Sequence, residues 1–474
     1  MNLAELCARR VAVWGIGREG AAMVELLAGR GVRPVLIDDN PAAVRGRLDA
    51  GPHADQPVLA PNQVEWGRVE VVVRAPGVSR YRPELAAAVA AGVSVTTAMA
   101  VWLEDFADAR VVAITGTKGK STTAALTHAL LRAGGLDAVL IGNIGVPVTE
   151  TYGRPLVDAY VVEVSSYQAA EVTVTPRVCV LTSLAPDHLD WHGDQEAYYR
   201  DKLQLIDAGP PGALAVNAGS DEAERRTRAH RARVLFGPSG RVRATEGGAI
   251  LVDDERLGDA RGLRAPGRHN AWNLCGAIAG ALLLDGRSPS AESLGAVIEG
   301  FEGLPSRCRT VGERDGVTFV DDALASNPFA TVASIGAFTD RPLTVILGGA
   351  DRGVDPTALV ETLAGRRPAP RVIVMAPDGQ GLVGALRALA ARPGAHLPVD
   401  QVPDLETAVR MAAASTPAGG LVLFSPAAPT PEGEGGYAER SRRFVEAAGL
   451  AAPADGLTAA RAPTTVGRDK GGVT

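Results

Sequence analysis

Residues 111–131 read VVAITGTKGKSTTAALTHALL. Gly116 and Gly119 stand where a backbone can curl until its N–H groups converge on an anion, and a helix opening near Ser121 adds its positive end. Lys120 has the reach for the outer phosphates of a nucleotide, and Ser121 or Thr122 can offer a hydroxyl to magnesium. Thr117 and Lys118 complete the loop. The spacing G-x-x-x-x-G-K-[ST] is absent, because Ile114 occupies the first glycine position. A mere strand–turn–helix is therefore the competing reading. The coincidence of strand, glycines, Lys-Ser-Thr and helix favours the phosphate cradle.

Further residues could serve the same chemistry. Glu163 closes the run YVVEV, where a buried carboxylate is costly unless it is paired; it suits either magnesium or a structural ion pair. The stretch LTSLAPDHLDWHGDQEAYYRDKLQLI delivers Asp187, His188, Asp190 and His192 on a loop and then Lys202 on a helix. His188 reads as a metal or phosphate contact or as a solvated histidine, and Lys202 as a site residue or an exposed lysine. Asn270 and Asn273, spaced i, i+3 in GRHNAWNLCGAIAGA, suit an adenine edge or a helix cap. Near the start, VAVWGIGREG supplies Gly15, Gly17 and Gly20 in a full G-x-G-x-x-G, and Asp38 ends the next strand. Alone, that pattern indicates a dinucleotide-binding fold.

The elements that position these residues are short apolar runs: RVAVWG, VEVVVRAPG, RVVAITG, DAYVVEVSS, VCVLTS, LTVILGG, RVIVMAP and GLVLFSP. Each ends in Gly, Ser or Pro, and Ala/Leu-rich helical segments separate them. Continuous apolar strands between helices predict parallel sheets covered on both faces, an α/β architecture whose sites form at the strands' carboxyl ends. Ser121–Arg132 reads as an amphipathic helix closed by Gly134 and Gly135. The 474 residues fit about three domains, with boundaries placed near Ala98 and Gly303. These give 1–98, 99–303 and 304–453, followed by a tail, 454–474, without hydrophobic patterning and expected to be disordered. Residues 220–267 are charged and Gly-rich and read as surface elements.

Composition excludes several classes. The formal net charge is −6, so no global basic field points to nucleic acid. Cys7, Cys179, Cys275 and Cys308 are scattered without a CxxC pair, which argues for buried thiols rather than zinc or disulfides. Neither a signal peptide nor an apolar run long enough to span a membrane is evident, and a cytoplasmic location is expected.

Together GTKGKS, EVSSYQ, DHLD…HG…Y…K and HNAWN resemble, in that order, the motifs of the Mur ligases, ATP-dependent amide-forming enzymes of peptidoglycan precursor synthesis. The likeness covers residues 8 to 450. GNIGVPV at 142–148, GLPSR at 303–307, LGGADRGVD at 347–355 and SPAAPT at 425–430 are most similar to the glutamate-adding members, which act on UDP-N-acetylmuramoyl-L-alanine. The resemblance implies a Rossmann-like UDP domain, a central P-loop-type ATPase domain and a Rossmann-like C-terminal domain. It implies that the loop from Gly116 to Thr122 binds ATP with Asn270, Asn273, Arg307 and Asp322, and that Lys120 contacts the γ-phosphate. By the same likeness Ser121, Glu163 and His188 hold Mg2+, joined by Lys202 as a carbamate; Lys120, His188 and Lys202 form the catalytic set. Gly15, Ile16, Gly17, Arg18, Asp38, Asn143 and His188 fall to the UDP substrate, and Ser326, Arg352, Thr430 and Tyr437 to the amino acid.

Departures concentrate at that last pocket. DDALASNP (321–328) stands where D-glutamate-adding members carry DSKATN, with Ala323 for Ser and Leu324 for lysine; Arg352 replaces a common lysine, and Lys118 the asparagine of GTNGKST. The ligase core is thus kept while the acceptor pocket is remodelled, and WGIGREG, GTKGKST, DWHG and SPAAP together resemble the branch that adds L-glutamate and depends on a separate epimerase acting on the product; D-glutamate is the alternative. A monomer acting only on small molecules is expected. Two other classes compete. A nucleotide-dependent oxidoreductase explains Gly15-x-Gly17-x-x-Gly20 but not the second loop or Lys202. A nucleotide-binding scaffold descended from a ligase does not explain retention of Lys120, Glu163, His188 and Lys202. A folate-type polyglutamate ligase shares the loop but lacks the N-terminal UDP-type domain.

Overall fold

A computed structural model describes residues 1–451 apart from 46, 47, 49–52, 54, 211, 264, 266, 340, 351–353, 379, 380, 391–396 and 432. Arg352 and the segment 454–474 lie outside the described residues. The strands form three sheets among the described residues, all three mostly parallel, as the sequence predicts. Each of the eight apolar runs is a strand.

The N-terminal sheet runs Val58–Leu59, Val35–Ile37, Val11–Trp14, Val71–Arg74, Ser94–Thr96, parallel throughout. Strand order reverses between Val11–Trp14 and Val71–Arg74, so a crevice opens at their carboxyl ends. Its faces follow strand alternation. Val11 and Val13 enter one apolar cluster, and Ala12 and Trp14 the other.

The central sheet has nine strands, with Val111–Thr115 between Val178–Leu181 and Ala159–Glu163. It is parallel from Ala138–Gly142 to Val242–Ala244 and ends in two antiparallel strands, Ala249–Val252 and Glu255–Asp259. The charged region 220–267, read from sequence as surface elements, thus supplies four strands of the sheet. Gly240, Gly247, Asp253 and Asp254 occupy the turns between them, and those turns mask strands only three to five residues long. The helix Ala98–Asp105 is almost wholly buried and shares its apolar cluster with strands of both sheets.

Residues 1–261 and 271–298 form one compact unit, and 262–270 with 299 onward a second. The second carries a six-stranded sheet in which Arg309–Arg314 pairs antiparallel with Val317–Asp321, followed by Leu421–Phe424, Leu343–Gly349, Arg371–Asp378 and Val399–Val402, all parallel. Val345 and Leu347 pack on one face and Ile346 on the other. Cys179, Cys275 and Cys308 are buried free thiols, as expected; Cys7 is only half-buried. Burial pushes Cys179 and Cys275 up to about 12, so neither is a reactive thiolate.

Candidate active site

The strand Val111–Thr115 ends in the loop 116–119, and the helix Lys120–Ala133 starts directly behind it. Gly116 and Gly119 have φ of 146° and 88°, conformations that side chains resist. Space excludes a side chain as well. A Cβ on Gly119 would lie 2.5 Å from Asn273 Oδ1, and one on Gly116 would overlap the Thr182 hydroxyl. The loop is also bonded from behind. Thr117 N donates to Ser183 O (2.8 Å), Lys118 N donates to Ser183 Oγ (2.9 Å), and the Thr182 hydroxyl donates to Lys118 O (2.6 Å). Thr117 Oγ1 lies 2.8 Å from the Tyr198 hydroxyl. Lys120 Nζ curls back to Thr117 O (3.1 Å), Ser121 is buried, and Thr122 is half-buried. Lys118 is the exposed cation of the loop and pairs with Asp187 at 3.1 Å. Burial alone would raise Asp187, but the charges of Lys118 and His188 hold its carboxyl below the usual range.

Three of the predicted groups come to this loop from other elements. Glu163, at the end of Ala159–Glu163, is fully buried. Its Oε1 accepts from Asn143 Nδ2 at 2.9 Å, and its Oε2 has no hydrogen-bond partner. Among the described residues it makes no ion pair, so the structural-pair reading of Glu163 finds no partner. His188 has φ 52°, is 42% exposed at its side chain, and sits 5.1 Å, centroid to centroid, from Tyr167. Burial pushes its imidazole below the ordinary value. Lys202 is 2% exposed, not the surface lysine that its helix suggested. Its Nζ donates to Gly116 O at 2.9 Å and lies 4.9 Å from the centre of the Tyr198 ring. Burial and the neighbouring Lys120 charge push it well below the usual lysine range, toward the neutral amine. Among the described residues no three His, Cys, Asp or Glu side chains cluster as a metal site; the predicted set draws instead on Ser121 and Lys202.

At the N-terminal crevice a cleft of about 350 Å³ is lined by Gly15, Gly17, Arg18, Glu19, Asp38 and Pro76, among others. Asp38 Oδ2 accepts from Ile16 N at 2.8 Å and fixes the glycine turn. Gly15 is at φ 91°, with Ala75 and Val78 filling the space of a side chain. Arg18 reaches the carbonyls of Gly142, Asn143 and Gly145, each at 3.4 Å, and so joins this cleft to the segment carrying Asn143. Glu19 accepts from Gln168 Nε2 at 2.7 Å, and burial raises its carboxyl to about 7.

Asn270 and Asn273 are both buried on the first turns of the helix Arg268–Asp285, and Asn273 accepts from Thr123 Oγ1 at 3.3 Å. In the second unit Asp322 is buried. It accepts from Cys308 N (3.0 Å), Ser334 Oγ (2.6 Å) and Ser425 Oγ (2.6 Å), and burial raises its carboxyl to about 7. Arg307 and Thr430 are half-buried, Ser326 is exposed, and Tyr437 is 49% exposed at the start of Tyr437–Ala447.

Sequence reasoning did not single out Ser166, Tyr198 or Asp201, all buried beside these groups. A signal existed. Tyr198, Asp201, Lys202 and Leu205 follow i, i+3, i+4, i+7 and are all buried, so a helical-period reading places Asp201 and Lys202 inward.

Three mostly parallel sheets, with a glycine loop opening a helix at the central sheet's carboxyl edge, define a multi-domain α/β protein of the phosphate-loop class. Comparison with known proteins narrows this. The Mur ligase middle domain matches residues 114–281, and the Mur ligase glutamate ligase domain matches 306–428. The chain is 41% identical over 461 residues to the UDP-N-acetylmuramoyl-L-alanine--L-glutamate ligase of a Micromonospora species, covering 94% of this chain and 98% of the relative. It is 34% identical to the protein of that name from Xanthomonas euvesicatoria pv. vesicatoria, covering 95% and 97%. Among solved structures, the MurF ligase of Thermotoga maritima in complex with ADP matches with a TM-score of 0.56 at 15% identity, covering 94% and 98%. The UDP-N-acetylmuramate-alanine ligase MurC of the same organism matches at 0.57 and 17%, covering 92% and 98%. At these identities the structures speak for the fold. The chain belongs to the Mur ligase family, and it is a ligase.

Proposed function

We propose that this chain adds L-glutamate to UDP-N-acetylmuramoyl-L-alanine at the expense of ATP, through an acyl phosphate, in peptidoglycan precursor synthesis. The observation that carries the reading is the buried Lys202 amine on the carbonyl of Gly116, in a loop that admits no side chain at 116 or 119. The names of the 41% and 34% identical relatives support L-glutamate, as do the departures at Ala323, Leu324 and Arg352. The division at 98 and 303, a monomeric state, a cytoplasmic location and an epimerase acting on the product belong to the same proposal.

The chemistry follows from the electrophile. A carboxylate resists attack by an amine until its oxygen is converted to a leaving group. The substrate carboxylate attacks the γ-phosphorus, ADP departs, and the glutamate amine then attacks the acyl carbon and expels phosphate. The N–H groups at the start of the helix, 119–122, and the Lys120 side chain hold the phosphates in line, on a loop that the N–H groups of Thr117 and Lys118 pin to Ser183; Asn270, Asn273, Arg307 and Asp322 serve the rest of the nucleotide. Gly15, Gly17, Arg18 and Asp38 line the UDP cleft, with Asn143 and His188 toward the sugar; Ile16, expected beside them, is buried behind the cleft and serves it through its N–H on Asp38. Ser326, Arg352, Thr430 and Tyr437 receive the amino acid.

The residues present fit magnesium. Glu163 Oε2 is a buried carboxylate oxygen without a partner, a donor that suits a hard cation. Ser121, Glu163, His188 and carbamylated Lys202 would hold the ion, which supplies neutralisation of the phosphoryl oxygens. Burial of Lys202 favours the neutral amine that adds to carbon dioxide, losing a proton to give the carbamate.

Phosphate release with ATP, magnesium and UDP-N-acetylmuramoyl-L-alanine is expected with L-glutamate and not with D-glutamate. Preference for D-glutamate overturns the branch, and silence with both overturns the ligase substrate. Lys202→Ala is expected to lose most activity and to regain part of it with short carboxylic acids; full activity in that variant refutes the carbamate.

A further inference from the structure

Ser166, His192 and Asp201 form a hydrogen-bonded chain that the proposed chemistry does not use. Ser166 Oγ lies 2.9 Å from His192 Nε2, and His192 Nδ1 lies 2.8 Å from Asp201 Oδ2. The connectivity is that of a serine nucleophile with its base and orienting acid. The residues are only 2%, 1% and 1% exposed, so no substrate carbonyl reaches the hydroxyl. The chain holds rather than attacks.

What it holds is seen at its members' places in the sequence. Ser166 opens the short helix Ser166–Ala169, three residues beyond Glu163. His192 ends the turn Leu189–His192, which starts directly after His188 in its left-handed conformation. Asp201 precedes Lys202 on the helix Gln195–Asp207. One chain therefore ties together the three segments that bring Glu163, His188 and Lys202 to the loop. It is anchored from outside: the Tyr81 hydroxyl donates to Asp201 at 2.9 Å, and Arg80 pairs with it at 3.4 Å. The same turn is held at Trp191, whose Nε1 donates to Pro76 O (3.1 Å) and whose carbonyl accepts from Ser79 Oγ (2.7 Å).

We propose that Ser166, His192 and Asp201 are positioning residues that fix the His188 turn against the segments carrying Glu163 and Lys202. The carboxylate of Asp201 keeps a hydrogen on His192 Nδ1, which leaves Nε2 to accept from Ser166. An asparagine at 201 removes that preference while keeping the shape. The kinetic half of this proposal rests on the ligase reading; the spectroscopic half does not.

The test uses the full chain carrying Asp201→Asn, His188→Ala, or both. With ATP, magnesium, UDP-N-acetylmuramoyl-L-alanine and glutamate, Asp201→Asn is expected to lower kcat roughly 10- to 100-fold with KM for ATP unchanged. Because Asp201 acts through His188, the double variant falls no further than His188→Ala alone. In the unliganded chain with 15N-labelled histidine, Asp201→Asn is expected to change the His192 tautomer and shift the His188 ring resonances. Unchanged kcat, or multiplicative losses in the double variant, overturns the proposal. So do unmoved His188 resonances, and these decide it even if the wild-type chain releases no phosphate with either glutamate.

Discussion

Replacing Gly119 by alanine tests whether the loop 116–119 is set by its own shape. Gly119 has φ 88°, and the added Cβ would lie 2.5 Å from Asn273 Oδ1. The left-handed conformation costs an L residue about 1–2 kcal/mol. The overlap must also be relieved by a shift approaching 1 Å, and misplacements of that size cost on the order of 100-fold in rate. Gly135 separates the two effects. It lies just beyond the end of the same helix, has the same φ of 88°, and has open space where its Cβ would stand. Gly135→Ala therefore carries the backbone strain alone. Both variants are expected to melt a few degrees below wild type, by roughly 1–2 kcal/mol of stability. Only Gly119→Ala is expected to lose about 100-fold in kcat/KM for ATP. The assay is steady-state phosphate release with ATP varied, beside thermal unfolding of each variant. Equal kcat/KM in the two variants refutes the reasoning.

Asp322 makes stability depend on pH. Its carboxyl is raised from 3.8 to about 7 in the folded chain. Between those values the native state holds a proton that the unfolded chain has lost, so stability falls as pH rises from about 4 to about 7. One raised group of this size is worth about 4 kcal/mol over that window. Urea unfolding at several pH values is expected to show Asp322→Asn gaining on wild type by that order and levelling off above the window; parallel curves contradict it. Glu163→Gln removes a buried charge whose Oε2 has no hydrogen-bond partner, so it is expected to abolish phosphate release while leaving the melting temperature equal or higher. Arg74 pairs with Glu171, both nearly inaccessible. Arg74→Met is expected to cost about 3–5 kcal/mol and Arg74→Met with Glu171→Leu much less; equal losses in the two variants speak against the buried pair.

The parallel sheets were legible because their strands are continuous apolar runs ending in Gly, Ser or Pro. Strands such as Val242–Ala244 and Glu255–Asp259 were not, since they are short, partly exposed and set among charged turns. The loop 116–122 was legible because glycine, lysine and hydroxyl residues occur there at a spacing that few other demands produce. Lys202 took its meaning from resemblance, although its helical period with Tyr198 and Leu205 already pointed inward. His192 was named with its loop, but its pairing with Asp201 stayed hidden because it depends on a turn that brings a loop histidine back onto the following helix. Glu19 was hidden for a similar reason: its partner Gln168 lies 149 positions away in the chain.

The central claim is that ATP activates a carboxylate of the substrate. It is tested most directly by labelling that carboxylate of UDP-N-acetylmuramoyl-L-alanine with 18O and turning the enzyme over with ATP, magnesium and L-glutamate. Attack of the carboxylate on phosphorus transfers one labelled oxygen to each phosphate released. Mass spectrometry of the phosphate is expected to find it, together with the glutamyl product. Phosphate that carries no label contradicts the account.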